Sequence, residues 1–162
     1  MKTLRYPQDV RTTRAVSNER AYASAVPPEL SFAFGGLVVA GPDSVEVSGR
    51  LTHPLPRESV VVVFPAPGTG PFYARFVAQP GFDWYRPDDP ERPKDLPPPQ
   101  PPVPPPPVEL VLPPECVVVF TTVLRLKPMK YAGAPEVEVE WSFLFWNEPK
   151  PKGRLSVRLP PR

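Results

Sequence analysis

Hydrophobic and polar positions alternate most clearly over residues 136–146. Val137, Val139, Trp141, Phe143 and Phe145 fall on one face of an extended segment, and Glu136, Glu138, Glu140 and Ser142 fall on the other. A period of two is that of a β-strand with one buried and one wet face. Leu144 and Trp146 make the far end apolar on both sides, so that end is either covered or a contact surface. Residues 154–159 repeat the pattern, with Leu155, Val157 and Leu159 inward and Arg154, Ser156 and Arg158 outward. Outward arginines then lie beside outward glutamates, which sets the register of a hairpin.

The same period recurs upstream. Val45, Val47, Gly49 and Leu51 form an inner face, and so do Phe72, Ala74 and Phe76. Over residues 117–126 the set Val118, Phe120, Thr122, Leu124 and Leu126 is the better core face. Residues 30–40 make another strand interrupted by Gly35 and Gly36, a pair that predicts a bulge or bend. Gly41, Pro42, Asp43 and Ser44 read as the turn after it. Residues 59–64 are a continuous valine run, which predicts a strand covered on both faces. Residues 108–112 add one more strand, and no segment shows a helical period.

Proline changes the picture. The chain has 162 residues with 30 prolines and nine glycines, and nine of the prolines stand within residues 97–107. Proline lacks the donor that helix interiors need. The dense run is confined to polyproline II, about 34 Å long if straight at ~3.1 Å per residue. Residues 1–28 lack a sustained apolar period and read as an N-terminal arm that orders only by docking. Residues 29–162 then form one domain with a proline-rich insertion at 86–107. Seven to nine short strands separated by turn signals predict an all-β fold. The expected form is an antiparallel β-sandwich of immunoglobulin-like or fibronectin-like Greek-key type, with a closed β-barrel as the alternative.

Composition supports a core and little else. Hydrophobic residues are 41% and charged residues 22% of the chain, and 19 basic against 17 acidic residues give a net charge of +2. That balance argues against nucleic acid as a partner. No apolar run approaches about 20 residues and no signal-peptide pattern is present, so no membrane span and a cytoplasmic location are expected. Cys116 is the single cysteine and reads as a small strand residue.

Groups for catalysis are few, and no enzyme activity and no cofactor are expected. His53 is the only histidine and, before Pro54, reads as a turn residue. One histidine and one cysteine do not make a zinc site, and neither phosphate-binding glycine motif occurs. Glu138 and Glu140, about 7 Å apart on one strand face, could serve as paired carboxylates, but arginines opposite them favour a salt-bridged surface. Asp83, Asp88, Asp89, Glu91 and Asp95 lack the calcium-loop spacing.

Binding has better candidates. Phe82, Trp84, Tyr85 and Arg86 precede the proline run, and Pro97, Pro98, Pro99, Pro104 and Pro105 stiffen it. A preformed polyproline segment docks into aromatic grooves at low entropic cost; the same run could instead be a strap packed by Trp84 and Tyr85. Outward Trp146 adds a planar surface. The expected function is therefore a non-enzymatic protein–protein interaction or assembly module presenting this loop or an open sheet edge, with another protein as partner. A carbohydrate-binding sandwich using Trp84, Tyr85 and Trp146 and a loop-mediated protease inhibitor are the alternatives.

Overall fold

The computed structural model describes residues 1–23, 26–63, 71–77, 90–94, 106–126, 136–143 and 152–160, the side chains of Asn18 and Tyr22 apart. The described chain is mostly β. In order it forms β1 (Lys2–Arg5), β2 (Arg11–Ala15), α1 (Asn18–Ala23), β3 (Ser31–Gly41), β4 (Ser44–His53) and β5 (Ser59–Val63). There follow β6 (Phe72–Phe76), β7 (Val108–Leu112), β8 (Cys116–Arg125), β9 (Glu136–Phe143) and β10 (Lys152–Arg158). These strands make a four-stranded sheet β1-β8-β4-β3 and two three-stranded sheets, β10-β9-β6 and β2-β7-β5. None closes into a barrel, which sets the barrel alternative aside.

The alternating segment that begins at Glu136 becomes β9, the middle strand of its sheet. Val137, Val139 and Phe143 are buried, and β10 lies antiparallel with Arg154 opposite Glu140 and Arg158 opposite Glu136. On the other side β6 pairs Arg75 with Glu140 and Phe72 with Phe143. The inner faces foreseen for β4, β6 and β8 are the buried ones: Val45, Val47, Leu51, Phe72, Val118, Phe120 and Leu126 are within 1% of complete burial.

Two layers meet through aromatic rings. Phe143 of β9 contacts Phe32 of β3 at 5.3 Å, Phe72 of β6 at 5.2 Å and Phe120 of β8 at 5.9 Å between ring centroids. Phe34 of β3 stacks on Trp141 of β9 at 5.7 Å. Gly49 of β4 faces this cluster, and a Cβ there would lie 2.4 Å from Phe72 and 2.8 Å from Phe143. Only glycine lets the two layers approach so closely at that point. This face-to-face layering agrees with a β-sandwich.

Four expectations change. The arm contains a helix, α1, although no helical period announces it; six residues are too few to display one. It starts where Ser17 Oγ accepts the Arg20 backbone N–H at 3.1 Å, an N-cap. Secondly, the valine run of β5 is not covered on both faces: it lies at the end of its sheet, and Val60 is 48% exposed. The strand closed on both sides is its neighbour β7, where Leu110 and Leu112 face the core and Glu109 and Val111 are buried on the other side. Thirdly, the sheets are not wholly antiparallel, since β1 runs parallel to β8. Finally, His53 is no turn residue; it closes β4 as a fully buried strand residue opposite Cys116.

The first sixteen residues are docked rather than free. Leu4, Val10 and Val16 are buried, and Tyr6 packs its ring on Phe120 at 5.1 Å. Burial pushes the Tyr6 hydroxyl above its ordinary pKa. The arm meets the end of the proline run where the Val16 backbone N–H donates to the Pro107 carbonyl at 2.9 Å.

Candidate functional site

The residues expected to bind a partner all belong to segments outside the described residues: Phe82, Trp84, Tyr85, Arg86, Pro97, Pro98, Pro99, Pro104, Pro105 and Trp146. Asp83, Asp88, Asp89 and Asp95 lie outside them as well. Among the described residues, four arrangements of side chains or backbone bear on function.

The first surrounds His53. Its Nδ1 lies 2.7 Å from the Pro113 carbonyl oxygen and its Nε2 lies 2.9 Å from Ser59 Oγ. A carbonyl can only accept, so Nδ1 carries the proton and, in the neutral ring, Nε2 accepts from the Ser59 hydroxyl. The ring thus ties the end of β4 to the start of β5 and to the corner between β7 and β8. Cys116 lies opposite in the β4/β8 register and is fully buried; desolvation pushes its thiol above the ordinary range. Both ring nitrogens of His53 are engaged in bracing the fold.

The second is Glu109 on the outer face of β7. Arg14 Nε donates to it at 2.9 Å, Arg20 approaches at 3.2 Å and the Thr13 hydroxyl at 3.4 Å. These three residues come from the arm, so a carboxylate in mid-sheet is matched by charges about ninety residues earlier. The Arg14 hydrogen bond holds the Glu109 carboxyl below the usual carboxylate range, against the opposing effect of burial.

The third is Glu140, clamped between Arg75 at 2.6 Å and Arg154 at 3.2 Å on the outer face of the β6-β9-β10 sheet. The Arg75 hydrogen bond lowers the Glu140 pKa first, and the same bond raises that of Arg75. Glu136 meets Arg158 at 3.6 Å. Glu136 and Glu140 are therefore salt-bridged, and Glu140 is held ionised, while Glu138 lies opposite Ser156 of β10. Among the described residues no group of three or more His, Cys, Asp or Glu side chains is placed to hold a metal ion. Nor is any helix among them long and apolar enough to cross a membrane.

These pairs define how stability responds to acid. In the unfolded chain both carboxyls titrate at about 4.3; folded, they titrate lower. Between the two values the unfolded state binds more protons, so their contribution is complete above the unfolded pKa and is lost as pH falls through the folded one. Glu140→Gln is expected to lose less thermal stability than the parent chain between about pH 6 and pH 3. Parallel melting curves across that range check it; identical acid-side slopes would show that the clamp contributes nothing.

The fourth arrangement is the edge of β3. Among the described residues this strand is bonded on one side only, to β4. Val38 is 62% exposed on the outer face and Val39 37% exposed on the core-side face of this outermost strand. The foreseen bulge is present: the register with β4 shifts between Phe34 and Gly36, and Gly36 has φ +147°, a backbone that favours glycine. Sequence reading located the strand but not its position at the sheet's end, which only the pairing order reveals.

Searches against protein-family models, curated proteins and solved structures find no match to this chain. Function must be argued from the residues.

Proposed function

We propose that this chain is a non-enzymatic protein–protein interaction or assembly module on an immunoglobulin-like β-sandwich, which presents the open β3 edge together with the aromatic and proline-rich loop. The observation supporting this reading is the β3 edge: eleven residues ending a sheet, with Val38 and Val39 exposed. Unpaired strand edges bind by adding a strand from a partner, main-chain hydrogen bonds giving affinity and side-chain contacts specificity. Natural proteins blunt such an edge with charge, proline or a bulge; β3 has no charge and no proline, and its irregularities are the register shifts after Phe34 and Val39. The His53 network and the Glu140 clamp favour the non-enzymatic reading, since each is occupied in holding strands together.

A native pull-down with mass spectrometry tests it on three forms: the intact chain, the chain with residues 97–107 replaced by a Gly/Ser linker of equal length, and Val38→Lys. Loss of a bound protein from the linker form would assign recognition to the proline run; loss from Val38→Lys would assign it to the edge. An intact chain that elutes alone under gentle conditions would overturn the reading.

A further inference from the structure

The described strands at the ends of sheets differ sharply in charge and length. β1, β2, β6 and β10 all carry Lys or Arg, and β5 has five residues. β3 has eleven residues and no charge. An uncharged edge can meet its own copy without like charges facing each other, which is the condition the other long edge, β10, fails.

The bulge makes β3 self-complementary. Phe32, Phe34 and Leu37 all pack toward the core, although Phe34 and Leu37 are three residues apart. An antiparallel second copy therefore keeps core face beside core face only when the two-fold axis passes between two residues. Centred between Gly35 and Gly36, the pairing uses nearly the whole strand. Phe34 then faces Leu37 of the second copy, Phe32 faces its Val39, and on the outer side Ala33 faces its Val38. At this centre a Cβ placed on Gly36 would have no atom within 4 Å, whereas one on Gly35 would lie 2.8 Å from the Arg50 side chain of β4.

We propose that two copies of this chain pair antiparallel through β3 about an axis between Gly35 and Gly36, joining two four-stranded sheets into one of eight strands. This rests on the interaction-module reading and names the partner as a second copy. Each contact occurs twice in such an isologous interface, so a substitution acts twice.

Two double variants test the register by sedimentation velocity from micromolar to near-millimolar protein. Ala33→Glu with Val38→Glu sets like charges directly opposite across the axis, and Ala33→Glu with Val38→Lys sets opposite charges there. In both, Glu at position 33 also lies beside Arg50 of β4, and circular dichroism confirms that each variant folds. The parent chain is expected to dimerise reversibly. The Glu/Glu form should raise the dissociation constant on the order of a hundredfold, roughly tenfold for each of the two equivalent contacts, while the Glu/Lys form stays within about tenfold of the parent. A parent chain that stays monomeric throughout overturns self-pairing, and so do two double variants that behave alike. If the monomeric parent still retains a different protein that Val38→Lys releases, self-pairing falls and the interaction reading stands; if it retains nothing, both fall.

Discussion

Phe143→Ala is expected to remove about 3–5 kcal/mol of folding stability, the cost of a large ring lost from a packed core. Phe143 is completely buried and is touched by Phe32, Phe72, Phe120 and Trp141, rings contributed by β3, β6, β8 and β9. Those strands belong to the two facing sheets, so the cavity would open at the junction of the layers. Collapse around it is limited, because Gly49 already brings the β4 backbone against the same ring. Total stabilities of about 5–15 kcal/mol mean that this one change could leave a large unfolded fraction. Urea unfolding of the parent and the variant measures it. A loss below about 1 kcal/mol would show that the layers are held elsewhere.

The second large effect is expected at His53. His53→Ala removes the donor to the Pro113 carbonyl, at about 0.5–1.5 kcal/mol, and adds the larger cost of the cavity left by a completely buried ring. Ser59 is only partly buried, so its hydroxyl can turn to water. Ser59→Ala should therefore cost less, about 0.5–1.5 kcal/mol. The order of the two variants is the informative result. If Ser59→Ala were as damaging as His53→Ala, the imidazole would owe its place to the serine and not to the corner between β7 and β8.

The sequence disclosed those features that repeat along one strand. The alternation in β4, β6, β8 and β9 names the core face because a strand has only two faces and one is wet. It could not name what depends on neighbours far away. The valine run of β5 does not take its expected environment: β7 is the buried middle strand, with arginines of the arm covering Glu109, while β5 is left at the edge with Val60 in solvent. His53 reads as a turn residue beside Pro54, and only the register with Cys116 and the approach of Pro113 place it inside. The aromatic and proline positions of the loop were legible as candidates by composition. The β3 edge was legible as a bulged strand, but an edge is a property of pairing order, which no local pattern encodes.

The docking of the arm has a consequence for how the molecule is made. Lys2 pairs with Cys116 and Arg11 with Val111, so both arm strands wait for partners about a hundred residues further along. β1 and β2 leave the ribosome before β7 and β8 exist and can be among the last strands to find their place. Until β7 and β8 are synthesised, Leu4, Val10 and Val16 have no native surface to cover them. Pairing across such a span requires the loop-closure entropy to be met before the contacts form, which places the chain among topologies that fold slowly. In the finished molecule β1 and β2 are thus late-fitted pieces, laid against β8 and β7 only after those strands exist.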